Sequence, residues 1–428
     1  MLNSNKLRKI VLVVVDLLLF YAGLIVALTI RYAEFPPIKL IEIHFLPFTV
    51  INIAWIVIFY ISGFYDNVGK KATNVINILK AMAISGLSAV FILYLFPSFG
   101  IAPKTNLFGT IIFSSVFIWL WRKFFFGLLS RGFKTEIFFF GEEIKEIKKF
   151  EQFVSQRPEI GYRCANNYAD ADIIIVPEQI KRKGSMVTQL YQMTLEGKTI
   201  ISFDKFYESL TGKIPTSLID ESWFLENLME IDKLVFERVK RVIDLIMVII
   251  FAIPFLFLIP FVSLLIKLTS RGTIFYKQKR VGKNGRIFEI VKFRSMIMEA
   301  EKNKTGWIKP NEKDNRVTFI GSVFRKTRID ELPQIWNVLK GEMSFVGPRP
   351  ERPEFVQELI KEVPHYSMRH LVKPGLTGWG QINFGGASAK DAPRKLQYDL
   401  FYIKNRTLLL DIIILLKTIM AILSRQGK

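Results

Sequence analysis

The stretch "FRKTRIDELPQ", residues 324–334, sets two adjacent carboxylates, Asp330 and Glu331, directly behind Arg325, Lys326 and Arg328. Two readings compete. A helix start explains acidic residues in a first turn and a proline early in the helix. A reactive site explains them differently, because neighbouring helical residues point about 100° apart and need not share a task. One carboxylate can then face a phosphorus atom while the other turns to a cation. A nearby arginine keeps a carboxylate ionised, and an ionised carboxylate can act as a nucleophile on phosphate. Mg2+ held by a carboxylate and diphosphate oxygens would neutralise the leaving group. The dipeptide alone leaves both readings open.

The surroundings favour chemistry on phosphates. "FYKQKRVGKNGRIFEIVKFRSM" (275–296), the run 324–355 and "RHLVKPGLTGWGQIN" (369–383) carry Lys279, Arg280, Lys292, Arg294, Arg325 and Arg349. Arginine in such density suits anions, since its planar fork can hold two oxygens at once. A solvated basic face accounts equally well for any single cation, and better for Lys283 and Lys302.

The rest of the chain must position that region. It has 428 residues, half of them hydrophobic, with 38 Phe and a net charge of +21. That combination fits a membrane protein with a basic cytoplasmic surface. No recognition motif accompanies the charge, so nucleic acid is not an expected partner. A single cysteine, Cys164, excludes an intrachain disulfide, and three histidines (His44, His365, His370) exclude a His-rich zinc site.

Four apolar runs, at 10–30, 45–64, 78–96 and 107–129, are each long enough to cross a bilayer core. The first is too long for a signal peptide and lacks a small-residue cleavage site. Asp16 within it is expensive in lipid and should face another helix. Lys6, Arg8 and Lys9 precede the first run, Lys70 and Lys71 fall between the second and third with Lys80 at the start of the third, and Arg131 and Lys134 follow the fourth. The opposite loops carry only Arg31, Lys39 and Lys104. The bias puts the N-terminus, and the chain after the fourth run, in the cytoplasm.

From residue 134 to about 230, "EIFFFG", "ADIIIVP" and "KTIISF" read as strands, with helices near 142–154 and 185–195. This alternation predicts a parallel α/β, Rossmann-like module. Its first turn has only Gly141, short of a dinucleotide fingerprint, so scaffolding or regulation is the expected role. Residues 242–266 are long enough for a fifth span, but basic clusters stand on both sides: Arg238, Lys240 and Arg241 before, and Lys267, Arg271, Lys277, Lys279 and Arg280 after. With Pro254 in the middle, a re-entrant helix over about 238–268, broken at Pro254 and returning to the same face, satisfies both facts. A kinked ordinary span is the alternative. The tail run around Asp411 and Lys417 suits either an interfacial amphipathic helix or a core helix. The expected architecture is therefore a four-helix transmembrane bundle (1–133), the Rossmann-like module (134–230) and a C-terminal mixed α/β catalytic domain (231–428).

"KQKRVG", "VKFRSM", "RIDELPQIWNVLKGEMSFVGPRP", "LVKPGLTGWGQIN" and "YDLFYIKN" together resemble the bacterial sugar transferase family, the monotopic polyprenyl-phosphate phosphoglycosyl transferases. The resemblance covers residues 234–428. The preceding spans and module resemble the family's large form, the undecaprenyl-phosphate glucose- or galactose-phosphate transferases. That resemblance implies a ping-pong reaction. The first carboxylate of the pair attacks the β-phosphate of a UDP-sugar, UMP leaves, and undecaprenyl phosphate then collects the phosphosugar to start a polysaccharide repeat unit. By motif position Asp330 is the implied nucleophile and Glu331 the implied Mg2+ ligand. Arg325 and Arg349 are implied phosphate or nucleotide binders, with Lys292, Arg294 and Arg280 as further candidates. UDP-glucose or UDP-galactose is the implied donor, and a homo-oligomer such as a dimer is left open. Two positions depart from the family pattern: Ile253 stands where a serine usually precedes Pro254, and Arg328 where a small polar residue is frequent.

Two other functions remain at this stage. A membrane glycosyltransferase would use Asp330 as a base and release UDP. A non-catalytic scaffold or regulator of polysaccharide assembly would need neither carboxylate.

Overall fold

The computed structural model describes residues 2–65, 72–96, 99, 105–131, 135–141, 143–181, 184–228, 233–297, 316–384 and 391–423. Lys70, Lys71, Lys104, Lys134 and Lys302 lie outside the described residues, as does Glu142. The chain forms two compact units, Met1–Ser202 and Phe203–Lys428.

In the first unit, α1 (Leu2–Tyr32), α2 (Ile38–Ile61), α3 (Val75–Leu95) and α4 (Thr105–Arg131) account for the four apolar runs. Each is long and apolar enough to cross a membrane. Phe20, Phe48, Ile51, Trp55, Phe59, Ile78 and Ile118 bury together between them. Asp16 is fully buried, and it does face other parts of the unit: Arg122 pairs with its Oδ2, and Tyr65 Oη donates to the same oxygen at 2.8 Å. Arg122 also donates to the Phe64 carbonyl at 3.1 Å. The pairing explains how a carboxylate persists among apolar helices. Truncating one member of a buried pair strands the other, at a cost of about 3–5 kcal/mol. Asp16→Ala should therefore lower the thermal midpoint of the detergent-solubilised protein by several degrees, whereas truncation of an exposed membrane-run residue such as Leu18 should not.

The same unit carries a parallel sheet in the order β2–β1–β3–β4: β1 (Thr135–Phe139), β2 (Tyr162–Cys164), β3 (Ile173–Val176) and β4 (Thr199–Ser202). The three strands expected from sequence are β1, β3 and β4. The short β2 has too few apolar residues to announce itself. Helices α5 (Lys145–Ser155) and α6 (Gly184–Leu195) lie close to their expected positions. β3 reads as a pure apolar run because it is central, and all four of its residues are buried.

The second unit is mixed α/β. It opens with α7 (Phe203–Thr211) and α8 (Glu221–Asn227). Ile214, Ile219, Trp223, Phe224 and Leu228 then join a core with Val248, Val281, Ile290, Val338, Val346, Leu400 and Ile414. Trp379 Nε1 donates to the Gly212 carbonyl at 2.9 Å, and Lys404 pairs with Glu208 at 2.7 Å, so this stretch packs on the catalytic-motif region. Next comes α9 (Leu234–Thr269), the fifth helix long and apolar enough to cross a membrane. It is assigned as helix throughout, with Pro254 and Pro260 inside. Multiple helices of this kind make the chain a multi-pass membrane protein.

After α9, β5 (Phe275–Val281) and β6 (Ile287–Phe293) form an antiparallel hairpin. Asn284 and Gly285 at its turn both take positive φ, which asparagine and glycine tolerate best. Then follow α10 (Phe319–Thr327), a 3-10 turn over Ile329–Gln334, α11 (Ile335–Lys340), and β7 (Ser344–Val346), which pairs in parallel with β8 (Gly375–Thr377). Helix α12 (Pro353–Glu362) lies between those strands, and α13 (Trp379–Asn383), α14 (Ala392–Asn405) and α15 (Leu408–Leu423) complete the unit. The tail run combines the two sequence readings. α15 buries Asp411 and Ile414 and joins Thr418 to Thr377, yet it exposes Leu409, Ile412, Ile419 and Ile422 along another face.

Candidate active site

The dyad sits at a reversal of the chain. Thr318 caps α10 by accepting from Gly321 N at 2.9 Å, and a Cβ on Gly321 would fall 2.0 Å from the Ser295 carbonyl. α10 ends at Arg328, which adopts a left-handed conformation (φ 61°). That region is uncommon for a residue with a side chain, and here it turns the chain into the 3-10 segment. Asp330 and Glu331 occupy the first turn of that segment and Pro333 lies within it. The helix-start reading is met by this 3-10 turn, and it leaves both carboxylates placed so that a reactive role is compatible with it. Asn337 on α11 locks the segment to β6. It accepts from Val291 N at 3.1 Å and donates to the Glu289 carbonyl and Glu342 Oε2, both at 2.7 Å. Lys292 on β6 is thereby brought to the dyad.

Glu331 is enclosed by cations. Its Oε1 accepts from Arg349 Nη2 at 2.7 Å and from Lys292 Nζ at 3.1 Å, and its Oε2 lies 3.5 Å from Arg328 Nη1. Although burial opposes ionisation, these partners, Arg349 foremost, hold the carboxyl well below the usual range. Glu331 in turn keeps Arg349 firmly protonated, while burial pulls the Lys292 ammonium down. Asp330 differs. It is 7% exposed, and among the described residues its Oδ1 has no hydrogen-bond partner. Burial raises its pKa first and the charge of Glu331 second, against the opposing pull of Lys292, Arg325 and Arg328. Adjacent carboxyls whose environments push their pKa values apart can take separate chemical roles.

Arg349 reaches Glu331 from a loop that glycine makes possible. A Cβ on Gly347 would lie 2.4 Å from the Lys373 carbonyl, one on Gly375 2.1 Å from Gly347 N, and one on Gly378 2.2 Å from the Gly347 carbonyl. The glycines of "GPRP" and "KPGLTG" therefore let two backbones meet where no side chain fits.

Of the residues singled out from sequence, Asp330, Glu331, Lys292 and Arg349 come together directly. Arg325 is close enough for its charge to act on Asp330, and its Nε donates to Ser295 Oγ at 3.0 Å. Arg280 stands one layer out. It donates to the Pro350 carbonyl at 3.1 Å and to Gln278 Oε1 at 2.6 Å, faces Glu351 at 3.9 Å, and is pulled down to about 10 by burial. Arg294 turns elsewhere. Its Nη2 donates to the carbonyl and Oγ of Ser270, at 2.9 and 2.8 Å, closing the C-terminal end of α9. Sequence reasoning left Arg328 without a task, yet it supplies both the reversal and the third cation on Glu331. Its sequence signal was only its place three residues before Glu331, a helical ion-pair spacing. Among the described residues no group of three or more His, Cys, Asp or Glu side chains could hold a metal.

The region carrying this site, residues 235–425, matches the family model for bacterial sugar transferases. A UDP-N-acetylgalactosamine-undecaprenyl-phosphate N-acetylgalactosaminephosphotransferase of Aeromonas hydrophila is 44% identical over 222 residues, covering 51% of each chain. A UDP-glucose:undecaprenyl-phosphate glucose-1-phosphate transferase of Xanthomonas campestris pv. campestris is 42% identical over 164 residues, 38% of this chain and 34% of that one. The match thus spans about half of the first relative's length and about a third of the second's. An exopolysaccharide production protein, ExoY, of Sinorhizobium fredii is 35% identical over 201 residues, 44% of this chain and 87% of the relative. With that relative matched over most of its length, the chain belongs to the bacterial sugar transferase family.

Proposed function

We propose that the chain transfers a sugar 1-phosphate from a UDP-sugar to undecaprenyl phosphate, initiating an exopolysaccharide, capsule or O-antigen repeat unit. The observation that carries this reading is a buried Asp330, with one oxygen that no described residue hydrogen-bonds, beside a Glu331 clamped by Lys292, Arg349 and Arg328. Asp330 attacks the β-phosphorus of the donor. A carboxylate–phosphorus bond forms, the bond from that phosphorus to the bridging oxygen breaks, and UMP leaves with the oxygen. An oxygen of undecaprenyl phosphate then attacks the same phosphorus, releasing Asp330 and giving undecaprenyl-diphosphate-sugar. Arg325 and Arg349 steady the phosphates, Lys292 holds Glu331 in place, and Arg280 supports the Arg349 loop. Arg294 serves the end of the membrane helix.

Mg2+ fits by donor chemistry. Glu331 Oε2 is a hard oxygen that, among the described residues, faces Arg328 at 3.5 Å, and with diphosphate oxygens it would suit an ion that prefers few protein ligands. When bound, Mg2+ neutralises charge on the departing UMP.

The membrane arrangement follows the same reading: four spans over 1–133 with the N-terminus cytoplasmic, a Rossmann-like scaffold or regulatory module, and the catalytic domain on the cytoplasmic face. Sequence places the module at 134–230 and the catalytic domain at 231–428, but residues 203–228 pack in the core of the second unit. Re-entry is read with its bend at Pro254, and contacts at both ends of α9 support a bend within the helix. Near its start Arg241 donates to the Val338 and Leu339 carbonyls, and Asp244 accepts from Ser344 Oγ and Phe345 N. Near its end Val262 and Ile266 pack on Phe293 and Phe324. A straight helix would hold Arg241 and Ser270 about 43 Å apart. Yet Asn337, which bonds β6 at Val291, three residues before Arg294, directly precedes the carbonyls that Arg241 holds. The relatives' names include N-acetylgalactosamine, glucose and galactose. We therefore expect a screen of UDP-sugars with purified enzyme and undecaprenyl phosphate to release UMP with one of these three donors. Release of UDP instead would favour the glycosyltransferase reading, and release of neither nucleotide would favour the scaffold.

A further inference from the structure

Arg349 is held from behind as well as in front. While its guanidinium reaches Glu331, its carbonyl accepts from Arg369 Nη2 at 3.0 Å. The carbonyls on either side are held too: Gly375 N donates to Pro348 O at 3.0 Å, and Arg280 Nη1 to Pro350 O at 3.1 Å. Pro348 and Pro350 have fixed φ, so little rotation is left to the loop once these three carbonyls are tied.

Arg369 is itself tightly specified. It is 4% exposed, its Nη1 donates to Tyr366 Oη at 2.6 Å, and its Nε and Nη2 approach Asp399 Oδ2 at 3.1 and 2.8 Å. Asp399, on α14, is 5% exposed. A Cβ on Gly380 would press to 3.1 Å from Asp399 Oδ1, so the glycine of "GWGQ" leaves room for this carboxylate. Arg369, Gly380 and Asp399 lie in three sequence stretches, and their contacts converge on the backbone of one active-site residue.

A purely structural role is the competing account. A buried ion pair returns little net stability, because desolvation of both ions offsets their attraction. The pair's remaining donor goes to the Arg349 carbonyl, which points to geometry instead. We propose that Arg369, oriented by Asp399, is a positioning residue that sets the reach of Arg349 toward Glu331 and the donor phosphates. The proposal rests on the phosphosugar-transfer reading above.

A double-mutant cycle separates positioning from stability, because residues acting through one another lose less together than the product of their single losses. The variants are Arg369→Lys, Arg349→Ala and the double, with Asp399→Asn as a second probe that keeps side-chain shape if Arg369→Lys fails to fold. UMP release gives kcat and KM, and thermal melts of the same samples monitor folding. Arg369→Lys should lower kcat/KM about 10- to 100-fold in the wild-type background, and less than about 3-fold once Arg349 is alanine. Asp399→Asn should show the same dependence on Arg349. An undiminished loss in the Arg349→Ala background, or no loss in either, overturns the proposal. Wild-type release is a separate control: if it is absent, the functional reading fails, and the same cycle is read on UDP affinity.

Discussion

Asp330→Asn should reduce UMP release by about 10³-fold or more while leaving the thermal midpoint unchanged or slightly raised. The size follows from the role, since removing a nucleophile from a group of residues acting as a unit forfeits most of the chemical acceleration. The sign on stability follows from the site. Asp330 is 7% exposed and lies beside the negative Glu331, and both burial and that charge disfavour its ionised form. An amide of the same shape has no charge to bury. A variant at once inactive and at least as stable as the parent is what a residue held for chemistry would give. Retained turnover would remove Asp330 from the mechanism, and a large drop in stability would make it structural.

Glu331→Gln should cost about 10²- to 10³-fold in turnover, and the pH dependence carries the more specific prediction. Asp330 must be ionised to attack, so activity falls as pH falls through its pKa. That pKa is raised, which puts the acid limb above the ordinary aspartate value of about 3.9. Glu331 contributes to the rise. Its loss removes a neighbouring negative charge and frees Lys292 and Arg349 to act on Asp330. The residual activity of Glu331→Gln should therefore persist to lower pH than that of the parent. A limb that stays in place, or moves upward, would mean that Glu331 does not tune Asp330. Folding is weakened on the same acid side. The parent's Glu331 pKa is depressed, so its contribution to stability is complete above the unfolded carboxyl pKa and is lost as pH falls below it.

Much of the architecture was legible because it is written in local pattern. The four apolar runs became α1 to α4, and three of the four strands of the parallel sheet were marked by their apolar residues at "IFFF", "IIIV" and "TIIS". The carboxylate pair and Arg325 were equally visible, since they lie within one helical reversal. What could not be read depends on residues distant in sequence. Lys292 and Arg294 are two residues apart on one segment, yet the first meets Glu331 and the second closes the end of α9. Nothing in the spacing of "VKFRSM" divides their tasks. Arg328 looked idle because its role needs a positive φ, which no propensity favours for arginine. Residues 203–228 join the core of the second unit through Trp223, Phe224 and Ile214, and local pattern names no such partner for them. Arg369 and Asp399 stood inside "RHLVKPGLTGWGQIN" and "YDLFYIKN" without evident chemistry, because Arg369 bonds a backbone carbonyl and Asp399 bonds Arg369.

The central claim is a covalent phosphosugar on Asp330. Incubation of the purified enzyme with a UDP-sugar labelled at the β-phosphate, without undecaprenyl phosphate, should leave label on the protein and release stoichiometric UMP. The label should map to the peptide containing Asp330 and be discharged by added undecaprenyl phosphate. Unlabelled protein accompanied by UDP release, or label retained in Asp330→Asn, would contradict the account.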